Sequence, residues 1–247
     1  MEETKFVKTG IDGLDEIMRG GIVPNSSFLV TGGPGTGKSI MGLQFVIDGA
    51  LKFNEPGVYI TVEESADDIR YYARRLGWNI EELERKGLVT IIEQQVLERS
   101  MVKSLVSIEY IKQLVREKSA KRIVLDSLTL FNFMYSNDTT TLRTELIRFI
   151  KNMRTIGVTL LMISDRYSTG IDDIAYAEED FIFHGVVLLS KLRVQASYER
   201  CLHIVKQRGV DHSMKIYPFK IGEGGITVIT DATPFALTSG RDQRIKE

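Results

Sequence analysis

The chain has 247 residues, 43% hydrophobic and 26% charged, which is ordinary for a globular protein and long enough for one large α/β domain with a substantial core. A formal net charge of −1 excludes a global basic field for gathering nucleic acid. The single cysteine, Cys201, excludes an internal disulfide, fits a reducing compartment and, within an apolar run, reads as a small core residue.

In residues 5–21, Ile11, Leu14, Ile17 and Met18 recur at helical spacing, with Asp12 and Asp15 expected outside. Gly20-Gly21 stops this short amphipathic helix, expected to lie as a lid over the start of a sheet. An apolar strand, 28–30, then runs into Gly32-Gly33-Pro34-Gly35-Thr36-Gly37-Lys38-Ser39, the phosphate-binding loop spacing. A helix follows to about 53, with Ile40, Leu43, Ile47, Ala50 and Leu51 on its expected inner face. The residue types suit the chemistry. Glycines let successive N–H groups turn toward an anion, and the helix aims its positive end at the same point. Lys38 adds a point charge for the β- and γ-phosphates, and Ser39 a hydroxyl for Mg²⁺.

After the 54–57 turn, residues 58–62 read as a strand ending in Glu63-Glu64-Ser65. Ser65 and Asp68 mark the start of a helix that ends at Gly77, with Arg70, Arg74 and Arg75 in its basic half. Residues 88–92 form the next strand, 102–118 a helix, and 122–127 a buried strand closing on Asp126. A helix over 139–156 turns Leu142, Leu146, Phe149, Ile150 and Met153 inward; Gly157 ends it before a strand at 158–163. Alternating strands and helices predict a three-layer α/β fold around a mostly parallel sheet. Beyond 164 the helices stop. A polar loop, 165–183, leads into strands at 186–192, 200–206, 214–221 and 226–229, expected as antiparallel additions at one sheet edge. No linker is visible, so 1–247 reads as one domain, with 239–247 as a frayed tail.

Asp126, ending an apolar strand, is suited to reach the Mg²⁺ shell, directly or through water. Glu63 and Glu64 end another strand, where a carboxylate can orient the water that attacks a γ-phosphate; the alternative is an acid pair complementing the next helix dipole. Lys206 and Arg208 share a strand face, with His212 in the following turn. On physics alone, that pair reads as edge-strand charge.

Thr9-Gly10-Ile11-Asp12-Gly13-Leu14-Asp15, Gly20-Gly21, the phosphate loop, Glu63-Glu64-Ser65, Gly77-Trp78, Asp126-Ser127, Lys206-Gln207-Arg208-Gly209 with His212, and Tyr217-Pro218-Phe219 together resemble the KaiC-like family of RecA-superfamily ATPases, as a single-domain member. The resemblance implies ATP or ADP with Mg²⁺ as ligands, bound by Gly32 to Ser39 and Ile40, with Ser39 and Asp126 toward the metal. It implies catalytic roles for Lys38, Glu63 and Glu64, and a homohexameric ring in which Lys206, Arg208 and His212 reach the neighbour's nucleotide. Arg75 matches a position near the adenine. The family's clock protein has two fused copies and phosphorylates itself; the matching positions here, Asp180 and Phe181, carry no hydroxyl, and Ser168 and Thr169 lie further upstream, so clock-type autophosphorylation is not expected.

The leading expectation is a ring ATPase whose hydrolysis drives a regulatory or partner-binding change, with the protein partner unknown. A RadA-like DNA-binding ATPase is the second reading. It is disfavoured because 165–183 carries Asp165, Asp172, Asp173, Glu178, Glu179 and Asp180 against Arg166 alone, although Phe131, Phe133 and Tyr135 offer a stacking platform for single strands. A nucleotide-binding scaffold with little turnover is the third. No apolar run approaches a membrane span and no leader is visible, so a cytoplasmic location without membrane contact is expected.

Overall fold

The computed structural model describes residues 5–94, 107–128, 131, 135, 138–166 and 177–238. In chain order the elements are α1 (Leu14–Ile17), β1 (Ser27–Gly32), α2 (Lys38–Phe53), β2 (Gly57–Thr61), α3 (Ala66–Arg75), α4 (Ile80–Arg85) and β3 (Val89–Glu93). There follow α5 (Ile108–Lys118), β4 (Arg122–Asp126), α6 (Thr139–Ile156), β5 (Thr159–Asp165) and a 3₁₀ turn (Glu178–Phe181). The chain continues through β6 (Gly185–Val194), β7 (Ser197–Gln207), β8 (Tyr217–Gly222), β9 (Gly225–Val228) and α7 (Phe235–Thr238).

Among the described residues one nine-stranded sheet runs β3-β2-β4-β5-β1-β6-β7-β8-β9. The first six strands in that order are mutually parallel, so their carboxyl ends share one edge. That is the edge where open α/β sheets place ligands. One apolar layer packs α1, α2 and α3 against one face, with Phe45, Ile47 and Val30 at its centre. The other packs α5 and α6 against the opposite face through Ile111, Leu146, Phe149 and Met153.

Several expectations change. The strand after residue 184 is not an antiparallel addition: β6 pairs parallel with β1 from Phe28↔Gly185 to Gly32↔Leu189, and the antiparallel portion begins at β7. β1 is thus buried between parallel neighbours, β5 and β6, and all six of its residues are buried. The α2 helix is buried on nearly every side from Met41 to Ala50 rather than along one stripe, and Leu51 is exposed at 58%. The first helix has four residues, and Asp15 is half-buried rather than fully outside. Its Oδ1 accepts from Thr9 N at 2.8 Å and Thr9 Oγ1 at 2.9 Å, tying down the segment before it. The sequence reading had no counterpart for α4. Its signal is the reciprocal Asn79/Glu82 cap: Glu82 N donates to Asn79 Oδ1 at 3.2 Å, and Asn79 Nδ2 to Glu82 Oε2 at 3.1 Å. The 239–247 tail and residues 95–106 lie outside the described residues.

Two buried polar contacts lock α2 in place. Gln44 presents Oε1 to Ile226 N at 2.6 Å and Nε2 to Ile226 O at 3.2 Å, so it satisfies both backbone groups of a residue on the last strand. Arg122, fully buried at the start of β4, pairs with Glu55 at 2.6 Å and donates to Phe45 O at 3.0 Å. Its guanidinium lies 4.6 Å from the Phe45 ring centroid. Gly49 leaves the space for it: a Cβ there would come within 2.5 Å of Arg122 Cδ and 2.7 Å of Cζ.

In an ordinary helix interior Gly→Ala gains about 1 kcal/mol. Gly49→Ala is expected to do the reverse and lower stability by about 1–3 kcal/mol, because the buried Arg122 has nowhere to move. Urea denaturation reads the sign directly; a stabilised variant would show that Arg122 repacks freely.

Candidate active site

The chain leaves β1 through a loop that only glycine can form cheaply at two points, Gly35 with φ 69° and Gly37 with φ 105°. Thr36 Oγ1 folds back onto Gly33 O at 2.8 Å. Among the described helices of six residues or more, α3, α4, α5 and α6 have side-chain N-caps from Ser65, Asn79, Ser107 and Asp138. The α2 N-terminus has none, and no acid in its first turn. Its unpaired N–H groups and dipole fit an anion of phosphate size. Lys38 is 8% exposed and points back into this loop, donating to Gly33 O at 3.0 Å and pairing with Asp165 Oδ1 at 2.9 Å.

The carboxylates gather at the same sheet edge. Thr61 on β2 and Asp126 on β4 are register partners, so the chain leaving β2 passes beside Asp126. The strand ends at Thr61, whose Oγ1 donates to Glu64 O at 2.9 Å, and both glutamates that follow are exposed. Glu63 Oε1 accepts from Ser127 Oγ at 2.9 Å, and Glu64 Oε1 lies 3.5 Å from Tyr72 Oη. Asp126 Oδ2 accepts from Tyr59 Oη at 2.5 Å, and the Ser39 hydroxyl also hydrogen-bonds to Asp126.

Burial pushes the Asp126 carboxyl above its usual range; the Tyr59 and Ser39 hydrogen bonds oppose this and the Glu63 charge adds to it. Glu64 is raised by burial first and by the Asp126 charge second. Among the described residues no cluster of three or more His, Cys, Asp or Glu is arranged to hold a metal by itself. One hydroxyl and one carboxylate, Ser39 and Asp126, fit Mg²⁺, which keeps several waters and takes further oxygens from phosphates.

The family model described as "ATPase: KaiC" matches residues 7–233. The chain belongs to the KaiC ATPase family. It is 32% identical to a UPF0273 protein of Pyrococcus horikoshii, with 92% of this chain and 95% of that protein covered. It is 33% identical to the circadian clock oscillator protein KaiC of Synechococcus elongatus, over 90% of this chain but 44% of that longer protein. The crystal structure of a KaiC-like protein from Pyrococcus horikoshii superposes with a TM-score of 0.80 at 33% identity, covering 92% of this chain and all of that one. Membership gives a RecA-like P-loop ATPase fold, a nucleotide as ligand class and ATPase chemistry in general.

The remaining candidates of this KaiC-family chain are placed elsewhere. Lys206 pairs with Val186, and Arg208 N donates to His184 O at the start of β6. Their backbones therefore lie at the sheet end opposite the phosphate loop. The six residues of β1, about 16 Å at the strand rise, lie between. Both side chains dock on the 3₁₀ turn, Lys206 Nζ on Asp180 O and Arg208 Nη2 on Phe181 O at 2.5 Å. β8 pairs with β7 only at Cys201 and Leu202, so Lys206 lies beyond that pairing, and Arg208 lies in the turn after β7 rather than on the strand. Burial, then the Arg208 charge, brings Lys206 down to about 8. His212 does not join them; its Nδ1 lies 3.1 Å from Ser213 O. Arg75 is exposed at the end of α3. The β8–β9 turn connects that end to the loop: Gly224 N donates to Leu76 O at 2.8 Å, and Ile221 packs against Gly37.

Three charged residues at the loop were not among the site residues expected from the sequence. Asp165 follows an apolar strand, the same signal that singled out Asp126. Lys191 and Arg200 face each other across β6 and β7, and both reach Gly35: Arg200 Nε lies 3.5 Å from its carbonyl oxygen, and Lys191 Nζ sits 3.4 Å from where a Cβ would be. The DNA expectation shifts as well. Phe131 is fully buried and cannot stack bases, and Phe133 lies outside the described residues. Asp165, Asp180 and Glu178 are paired with Lys38, Arg166 and Arg143, and Asp172 and Asp173 lie outside the described residues. Ser168 and Thr169 lie outside the described residues, and no described helix is long and apolar enough to cross a membrane.

A raised folded-state pKa means that the ionised form is disfavoured by folding, fully so above that pKa and not at all below the unfolded value. Glu64→Gln is therefore expected to raise the thermal midpoint at pH 7 without nucleotide, by a small amount because Glu64 is exposed and its charge is screened by solvent, and to leave it unchanged near pH 3. A calorimetric scan at both values checks this; equal shifts at both would exclude charge as the cause.

Proposed function

We propose that this chain is a Mg²⁺-dependent ATPase that hydrolyses ATP to ADP and phosphate in a homohexameric ring, with each active site shared between protomers. The observation supporting the shared site is the β7 register: Lys206 and Arg208 sit at the wrong end of the sheet to serve their own phosphate loop. A neighbour's nucleotide is the partner for which two aligned cations are suited, as charge stabilisation for a transferring phosphoryl group.

Within one protomer, the Gly32–Ser39 backbone N–H groups hold the β- and γ-phosphates, and Ile40 continues the first helical turn beneath them. Lys38 exchanges Asp165 and Gly33 O for phosphate oxygens. Mg²⁺ held toward Ser39 and Asp126 would supply neutralising charge on the phosphates. Glu63, fixed by Ser127, orients the attacking water, and Glu64, whose proton affinity is raised, accepts its proton. Arg75 and the β8–β9 turn flank the base. Arg208, Lys206 and His212 close the site from the next protomer. Hydrolysis would reset the shared surfaces and so couple to a change in ring conformation or partner binding.

Glu63→Gln with Glu64→Gln is expected to lower kcat by about 10²–10⁴-fold while ATP still binds. Unchanged turnover would assign the pair to structure and favour a nucleotide-binding scaffold. Mixing these protomers with Lys206→Ala/Arg208→Ala protomers, each inactive alone, should restore turnover in mixed rings, because donor cations then meet intact loops. No recovery, with mixed rings confirmed by native mass spectrometry, would overturn the shared site.

A further inference from the structure

Arg166 and Asp180 form an ion pair with 8% and 4% exposure, and neither side chain has a role in the site above. Burying two charges carries a desolvation penalty that their attraction often fails to offset, so such a pair is a poor stabiliser; its better-attested use is to select one arrangement. Arg166 Nη1 is moreover buried without a hydrogen-bond partner among the described residues, which an interior optimised for stability would avoid.

The pair stands between the two halves of the shared site. Asp180 Oδ2 accepts from Ala177 N at 2.9 Å and so closes the 3₁₀ turn. The carbonyls of that turn, at Asp180 and Phe181, are where Lys206 and Arg208 dock. On the other side, Arg166 N donates to Gly32 O at 3.1 Å, at the root of the phosphate loop. Arg166 also directly follows Asp165, whose carboxylate holds Lys38.

On the reading that Lys206 and Arg208 serve the neighbour's nucleotide, we propose that Arg166 and Asp180 are positioning residues that link the filling of a protomer's own phosphate loop to the placing of those cations in the next site. A phosphate that takes Lys38 removes the partner of Asp165 and frees the β5 end. Arg166 is one peptide bond away and shares its hydrogen bond with the loop. Separating it from Asp180 would strand a charge in the interior, so the 3₁₀ turn follows Arg166. The two cations leave or keep their carbonyl acceptors accordingly. Misplacement of a catalytic group by about 1 Å can reduce rate about 10²-fold, so small movements suffice.

The test uses mixed rings of Glu63→Gln/Glu64→Gln donors, which bind ATP and present cations, and Lys206→Ala/Arg208→Ala receivers. Asp180→Asn in the donor is expected to lower kcat at least tenfold with the KM for ATP unchanged. The same substitution in the receiver, whose cations are already alanine, should change kcat less than twofold. Asp180→Glu in the donor, which keeps the charge, should recover most of the loss. Adding Lys38→Ala to the donor should alter receiver turnover, and that effect should vanish when Asp180→Asn is also present. Equal losses from donor and receiver placements, or no loss from the donor, would overturn the positioning role. An Asp180→Asn donor that leaves the Lys38→Ala effect intact would overturn the link. If Asp180→Asn protomers fail to enter rings by native mass, Arg166→Lys, which keeps a cation but loses the planar fork, takes its place with the same expectations. Mixed rings that are inactive before any such substitution would overturn the shared-site reading itself, and this inference with it.

Discussion

Lys38 is 8% exposed, and its ammonium is tolerated in the interior only beside acceptors. The surrounding architecture follows from that requirement. The loop must curl tightly enough for Gly33 O to face the ammonium, which sets Gly35 and Gly37 in left-handed conformations. The helix that begins at Lys38 has to be held rigidly, and it is: α2 is buried on nearly all sides, pinned by Gln44 to β9 and by Arg122 to β4. The neighbouring strand β5 ends in Asp165, which supplies the counter-charge. A phosphate would satisfy the same charge better, because the uncapped α2 N-terminus favours an anion at that position.

The opposite sign accumulates two strands away. Asp126, Glu63 and Glu64 converge at the carboxyl ends of β4 and β2, and burial raises Asp126 and Glu64. Like charges brought together at the edge of a core destabilise the fold. Tyr59, Ser127 and Ser39 offset part of that by donating hydrogen bonds. The site is thus an arrangement of ammonium on one side and carboxylates on the other, across a gap spanned by β5. Such a separation of charge suits a phosphoanhydride with an attacking water, and groups with shifted proton affinity cluster at sites of this kind.

The antiparallel strands serve a different purpose from the parallel ones. The β6–β9 region carries cations at both sheet ends, Lys191 and Arg200 toward the loop of the same chain, Lys206 and Arg208 toward the 3₁₀ turn. A strand running back against β6 is what allows one segment to touch both ends. With an added helix-covered parallel strand instead, the second pair would return to the edge that already holds the loop.

Much of this was legible in the residues. The phosphate loop was readable because glycine conformations, lysine and hydroxyl must follow one another within one loop. The α6 helix was readable from periodicity, and the Ser65 cap from its spacing. These are local determinants, acting within one turn or one loop. What the sequence could not decide was whatever depends on strand order and register. Whether β6 lies parallel to β1, whether Asp165 meets Lys38, and which end of the sheet receives Lys206 and Arg208 all involve partners distant in the chain. Periodicity shows that a strand is buried but not beside which strand. The residues themselves determined a loop at Gly32–Ser39 whose chemistry suits an anion; only the tertiary structure decided that Lys206 and Arg208 lie at the other end of the sheet from it, because the antiparallel return of β7 carries the chain there.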